Sequence, residues 1–163
     1  MTDALSTIDQ AHFRQVLGHF ATGVTVIAAH DEQGPIGFTC QSFMSLSLDP
    51  ALVAFAPGKA SSTWPRIRAT GVFCANVLAE DQEDVCRVFA SKGGDKFQGI
   101  GWRPGVTGSP VLADVLAWVE ARIEAVHDAG DHEIVIGRVA ELGVREAGHP
   151  LLFYRGGFGR FEA

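Results

Sequence analysis

Residues 119–142, VEARIEAVHDAGDHEIVIGRVAEL, decide how the chain folds. Val119, Ala121, Ile123 and Ala125 alternate with Glu120, Arg122 and Glu124. That is the two-residue period of a strand with one face buried and the other in water. Ala129-Gly-Asp-His132 reads as a turn, and Glu133 to Leu142 as the returning strand. The pair is an antiparallel hairpin, and the rest of the chain has to be compatible with it.

Working outward, the pattern stays β. Val24-Thr-Val-Ile-Ala-Ala29 is apolar and β-branched, and Asp31-Glu-Gln-Gly-Pro35 is a turn cluster. Ile36 to Leu48 continues extended to a break at Asp49-Pro50, and Leu52 to Ala56 is a short apolar run of the buried-strand kind. Val72 to Leu78 is a further strand, and Pro150 onward is a last short strand entering a glycine-rich tail. Three helices punctuate this order. The first opens on a Thr7–Gln10 capping-box pattern, carries Phe13, Val16, Leu17 and Phe20 at helical spacing, and stops at Gly23. The second covers Thr63 to Ala69 with Pro65 in its first turn, and the third Asp81 to Ala90. Residues 91–113, rich in glycine and without periodicity, read as a long functional loop. Nothing alternates as strand, long helix, strand, so a parallel nucleotide-binding sheet is disfavoured. The expected fold is mainly β: six to seven antiparallel strands closed into a small barrel, with a few short helices.

The bulk numbers agree. A chain of 163 residues suits one compact domain over 1–163, and 47% hydrophobic with 20% charged residues is a globular composition. A net charge of −6 argues against a nucleic-acid backbone as partner. No apolar run has the length of a membrane span, and the first residues lack the flank and core of a signal peptide. A soluble cytoplasmic protein, away from nucleic acid and membrane, is the expectation. Cys40, Cys74 and Cys86 match no zinc spacing and read as reduced core thiols.

No nucleophile elbow, zinc-protease helix or dinucleotide glycine motif occurs in the sequence, and no metal site is expected. The stronger signals are small hydroxyl residues at chain reversals. In Gly58-Lys-Ala-Ser-Ser-Thr63, Lys59 with the hydroxyls of Ser61, Ser62 and Thr63 could converge on one phosphate at a helix start, while Ser62 or Thr63 could equally be a helix cap. Gly37-Phe-Thr-Cys-Gln-Ser-Phe43 places polar residues inside an apolar strand region, where a buried hydroxyl needs a partner. Gly130-Asp-His132 is either an ordinary solvated turn or a presented imidazole.

Taken in order, these pieces resemble the short-chain flavin reductase family, the FMN-binding split barrels that serve as reductase components of two-component flavin-dependent monooxygenases. The resemblance rests on Phe13-Arg-Gln-Val-Leu-Gly-His-Phe-Ala-Thr-Gly-Val-Thr-Val-Ile27, Gly37 to Pro50, Ser61-Ser-Thr63, Ile67-Arg68 and Gly71 to Leu78. It continues through Phe89-Ala90, Lys96-Phe97, Gly108 to Leu112, Gly130-Asp-His132 and Pro150 to Gly157. It runs from about residue 12 to about 158, nearly the whole chain. Cys40-Gln41 stands where many relatives carry Ala-Asn.

The resemblance implies an NAD(P)H-dependent flavin reductase, NADH favoured over NADPH, that reduces FMN or FAD by hydride transfer and supplies reduced flavin to a separate monooxygenase. It implies that Thr39, Cys40, Gln41 and Ser42 line the ribityl chain and ring edge, and that Ser47 and Leu48 contact the isoalloxazine. Lys59, Ser61, Ser62 and Thr63, with Ser91 and Lys92, would serve the phosphate. His132 would lie by the nicotinamide, and Tyr154, Arg155 and Gly156 would help hold NAD(P)H. A homodimer is also implied. Two other readings of the same barrel remain: a flavin carrier or sensor without reductase turnover, and an oxidase of a phosphorylated amine cofactor using Lys59 and Lys92.

Overall fold

A computed structural model describes residues 7–162. Its elements run α1 (Gln10–Leu17), β1 (Thr22–Gly23), β2 (Thr25–Asp31), β3 (Gly34–Cys40), β4 (Met44–Leu48), β5 (Ala51–Phe55), α2 (Trp64–Thr70), β6 (Val72–Val77) and α3 (Glu83–Ala90). They continue through β7 (Trp102–Pro104), β8 (Pro110–Leu112), β9 (Ala117–Ala129), β10 (His132–Val144), β11 (Leu151–Tyr154) and β12 (Gly157–Arg160). The main sheet has seven antiparallel strands in the order β3-β2-β6-β9-β10-β5-β4, with β9 and β10 the hairpin read above.

The sheet curls on itself. Ile36 and Cys40 of β3, near one edge, share a core with Val53 and Phe55 of β5, near the other. Phe55 is the hub: its ring meets Phe73 edge-on at 4.9 Å and Trp64 of α2 at 5.6 Å. Burying such side chains stabilises the fold by about 1.5–3 kcal/mol each. The opposite face of the sheet builds a second core from Val24, Val26, Ala28, Leu78, Phe89, Phe97, Leu112 and Leu151. Strand β2 therefore feeds both cores, Ile27 and Ala29 one way and Val26 and Ala28 the other, which is why its sequence is apolar without a break from Val26 to Ala29. Where the barrel splits, beyond Cys40, the Ser42 hydroxyl latches the gap: it accepts from Ala56 N (2.8 Å) and lies within donating distance of Ala56 O (3.2 Å).

Several local expectations are corrected. Asp9, not Thr7, caps α1: its carboxylate accepts from His12 N at 3.0 Å, a charged acceptor two residues further on and directly before the first helical residue. The helix ends at Gly18, and Gly23 belongs to β1. The glycine-rich stretch 91–113 contains the hairpin β7–β8, and the chain's end folds back as β11–β12, which with β1 makes a three-stranded sheet. Glu120 does not face water: it is fully buried beneath the β7–β8 turn, which covers that face of β9. Finally, Phe13, Val16, Leu17 and Phe20 of the first helix region are all more than half exposed, so among the described residues nothing covers this apolar stripe.

Candidate functional site

A cleft of about 1060 Å³ lies between β3, the β5–α2 loop, the end of α3 and the start of β10. It lies at the upper end of the size range for small-molecule sites. One wall is Gly37 to Ser42. Gly37 favours the close packing of α3 on β3: a Cβ there would come within 3.1 Å of both the Phe89 ring and Ile27 O, tighter than ordinary contact, so a side chain would push the ring back by a few tenths of an ångström. Thr39 fixes the same contact by donating its hydroxyl to Cys86 O at 2.7 Å. Cys40 is buried, its sulfur 3.1 Å from Ser42 Oγ, and burial pushes the thiol above its ordinary pKa, so it is no activated nucleophile. The hydroxyls of this wall find their partners in the protein, holding the barrel rather than awaiting a ligand. Gln41 and Ser42 are the exposed members, and Gln41 faces Thr22 at the boundary with a second hollow.

The opposite wall is the loop from Ala56 to Thr63. Ser61 is the cap of α2, its Oγ accepting from Thr63 N (3.2 Å) and Trp64 N (3.1 Å), while Thr63 makes no cap bond. Those two N–H groups are therefore engaged, and Pro65 has none, so this helix start offers an anion little beyond side-chain hydroxyls. Ser62 is exposed in the lining. Lys59 lies outside it: its ammonium pairs with Asp128 and its N–H donates to Asp131 O (2.9 Å), tying the loop to the β9–β10 turn.

Three cations line the cleft: Arg66, Lys92 and Lys96. Arg66 is held by a two-pronged pair to Asp31, both contacts 2.7 Å, and this pair holds the Asp31 carboxyl below its ordinary pKa. Lys92 is exposed next to Ser91, whose hydroxyl donates to Val88 O at 2.6 Å. Half-buried Lys96 donates to Phe89 O at 3.3 Å. Arg66 and Lys96 were not singled out as binding residues from sequence; Arg66 sits one turn after the Ser-Ser-Thr cluster, and Lys96 was visible only as part of a family pattern.

His132 completes the lining. A strand bridge pairs it with Gly58, and Glu133 N donates to Pro57 O at 3.0 Å, so backbone pairing ties the turn to the β5–α2 loop. Its Nδ1 lies 2.7 Å from Asp131 Oδ1, and the imidazole holds that carboxyl below its usual range. The remaining expected residues lie elsewhere. Ser47 and Leu48 are on edge strand β4, with Leu48 93% exposed. Tyr154, Arg155 and Gly156 form the β11–β12 turn, with φ of +50° at Arg155 and +79° at Gly156. Arg155 lines the second hollow, about 280 Å³ under α1, which Gln41 also lines.

A split antiparallel barrel with a large cleft that gathers hydroxyls, lysines, aromatic edges and a braced imidazole has the lining that suits an anionic, partly aromatic small molecule. Comparison with known proteins makes the class specific. Residues 17–162 match the model of the flavin reductase like domain. The chain is 48% identical to the flavin-dependent monooxygenase reductase subunit HsaB of Rhodococcus jostii strain RHA1, over 98% of this chain and 82% of that one. It is 45% identical to the FMN reductase (NADH) SmoA of Agrobacterium fabrum strain C58, over 92% and 85%. The solved structure of the Streptomyces globisporus C-1027 NADH:FAD oxidoreductase SgcE6 with NAD and FAD fragments superposes with a TM-score of 0.90 at 35% identity, covering 96% of this chain and 97% of that one. The chain belongs to the flavin reductase family.

Proposed function

We propose that this chain, acting as one domain over residues 1–163 in the cytoplasm, is an NAD(P)H:flavin oxidoreductase with NADH favoured. It reduces FMN or FAD and passes the reduced flavin to a separate flavin-dependent monooxygenase. The observation that carries this reading is the convergence of His132, the polar segment 39–42 and the loops bearing Ser62, Lys92 and Lys96 on one cleft.

The residues present fit a flavin. Phe38, Phe89, Phe97, Ala56 and Pro57 give apolar surface for a ring system, backbone at 39–42 offers donors and acceptors for its edge, and the lysines suit a phosphate. A bound flavin supplies the redox chemistry, its ring taking hydride from the nicotinamide. The chain's own contribution is positional. Thr39 on Cys86 and Ser42 on Ala56 immobilise the backbone that meets the ring edge. The Lys59 links and the Gly58 bridge hold His132 at the cleft, and Asp131 at Nδ1 leaves Nε2 for the nicotinamide side. Arg155 is the single cation among the residues expected at the dinucleotide, which favours NADH, since a 2′-phosphate calls for a basic pocket.

The test is oxidation of NADH and NADPH, followed by absorbance, with FMN, FAD, riboflavin or no added flavin. Rapid turnover that depends on added flavin is expected. Tight flavin binding without nucleotide oxidation would refute the reading and leave a carrier or sensor. The exposed stripe of Phe13, Val16, Leu17 and Phe20 supports a two-fold homodimer. Light scattering should give twice the chain mass for the wild type and one chain mass for Leu17→Asp; a monomeric wild type overturns the dimer.

A further inference from the structure

His132 enters the cleft from an exposed turn. Its imidazole is half exposed, and the side chain it meets, Asp131, is almost fully so, which leaves that contact weak. Among the described residues, Glu133 is the one member of the turn 130–133 whose side chain bonds to a buried residue. Successive residues of a strand point to opposite faces, so while His132 lines the cleft Glu133 turns to α2. There its Oε2 accepts from the Trp64 indole N–H at 2.6 Å and its Oε1 from Arg68 at 3.0 Å. Trp64 is buried, its ring edge-on to Phe55 and its backbone N–H held by Ser61. A short, charge-assisted bond thus moors the turn to the barrel core.

These contacts close a ring. Glu133 N donates to Pro57 O, His132 bridges Gly58, and Lys59 N donates to Asp131 O. The imidazole lies over Gly58, where a Cβ would stand 3.7 Å from Nε2. From Lys59 the chain runs through the Ser61 cap into Trp64, and Trp64 returns to Glu133. The loop that forms one wall of the cleft is therefore fastened at both ends to the residue next to His132.

We propose that Glu133 is a positioning residue for hydride transfer: through Trp64 it fixes the His132 imidazole, on the nicotinamide side, relative to the loop that borders the flavin. This rests on the oxidoreductase reading. In the step it serves, NADH gives a hydride to the flavin and becomes NAD⁺, and a proton from water completes the reduced flavin. Glu133 itself is outside the lining and exchanges no proton. Misalignment of about an ångström at such a step costs on the order of a hundredfold in rate.

Wild type, Glu133→Ala, Glu133→Gln, Trp64→Phe and Arg68→Met are compared in three ways. These are amide hydrogen exchange at Lys59 and at position 133 in the ligand-free protein, equilibrium FMN binding by fluorescence quenching, and the single-turnover rate of FMN reduction at saturating NADH. Glu133→Ala should speed exchange at both amides and slow reduction by about ten- to a hundredfold, with FMN affinity near wild type. Trp64→Phe keeps a ring against Phe55 and deletes the N–H; it should show both effects in smaller measure, and it carries the test if Glu133→Ala does not fold. Glu133→Gln, whose amide oxygen still accepts from the indole, should recover most of the rate. Arg68→Met should cost a fewfold at most, since its guanidinium is half exposed.

A wild-type reduction rate in Glu133→Ala or Trp64→Phe, parallel losses of rate and FMN affinity, or unaltered exchange at the two amides would overturn the assignment while leaving the oxidoreductase reading in place. A wild type that binds FMN and does not oxidise NADH would overturn the oxidoreductase reading and this one with it.

Discussion

Glu120→Gln should destabilise the protein by about 1.5–3 kcal/mol, the range for hydrogen bonds to a charged group. Glu120 is fully buried on β9, and its carboxylate accepts from Val106 N and Thr107 N at 3.0 Å each and from the Thr107 hydroxyl at 2.7 Å. Among the described residues no cation pairs with it, so the β7–β8 turn itself solvates the charge. Gly105 shows how closely that turn approaches: a Cβ there would lie 2.2 Å from the carboxyl atoms. Glutamine keeps one acceptor oxygen but turns an NH₂ toward at least one of three donors and removes the charge that strengthens all three bonds. The smaller desolvation cost of an amide offsets part of this. Glu120→Ala leaves every donor without its acceptor and opens a cavity, so about 3–5 kcal/mol is expected. At about 2–4 °C per kcal/mol for a chain of this size, Tm should fall by about 3–12 °C for glutamine and further for alanine.

The assay is urea unfolding with a paired thermal melt, at fixed protomer concentration and without flavin, because association and ligand both raise apparent stability. A second consequence follows along the chain of contacts. Trp102 of β7 meets Phe97 at 6.1 Å, Phe97 meets Phe89 at 4.9 Å, and both phenylalanines line the cleft. Loosening the hairpin should therefore weaken flavin binding in Glu120→Ala although Glu120 is not in the lining. A Glu120→Gln protein within about 0.5 kcal/mol of wild type, the range of an ordinary surface change, would refute the account of the buried carboxylate.

Gly137→Ala should cost about 1–3 kcal/mol by overpacking, because a Cβ there would stand 2.7 Å from the Phe73 ring and 3.0 Å from Ala121 Cβ; denaturant midpoints at or above wild type would contradict the close approach. Arg66 lowers the Asp31 pKa from 3.8, so the pair's contribution to stability is present above that unfolded-state value and fades as pH falls through the lowered folded one. The Tm gap between wild type and Asp31→Asn should accordingly close on acidification, and a gap that stays constant into the acid range would remove the pair from the stability account. His132→Ala should reduce kcat/KM for NADH by about ten- to a hundredfold through lost orientation while FMN binding at equilibrium stays near wild type; parallel losses in both would move His132 from the nicotinamide to the flavin.

The long-range frame was legible because β9, β10 and β2 carry patterns that no other element imitates: alternation with a Gly-Asp turn in the first two, an unbroken β-branched run in the third. The small hairpins were not. β7 and β8 are three residues each with Pro104 and Pro110 at their ends, and proline speaks against a strand unless it sits at an edge, as it does here. The β11–β12 turn puts Arg155 at positive φ ahead of Gly156, where sequence rules look for asparagine or aspartate. Glu120 was misread for a related reason. The alternation correctly placed it on the opposite face from Ala121, but whether that face meets water depends on a hairpin formed some fifteen residues earlier, and only the fold brings the two together.

The candidate site shows the same division between local pattern and partner. Its polar residues were found from sequence as clusters of hydroxyls, yet a hydroxyl's availability depends on what lies across from it. Thr39 and Ser42 are engaged with Cys86 and Ala56, and Ser61 with its own helix, so the residues that looked most ready for a ligand are mainly those that shape the cleft. Charge divides likewise. A chain of net charge −6 repels anions at a distance, but at physiological salt that field fades over about 8 Å, and within that range the ligand meets Lys92 and Lys96 rather than the average surface. FMN affinity should therefore fall as salt is raised, riboflavin affinity should hardly move, and Lys96→Met should flatten the FMN dependence toward that of riboflavin. A salt dependence shared by both flavins would place the attraction in the whole protein's field instead of at these two lysines.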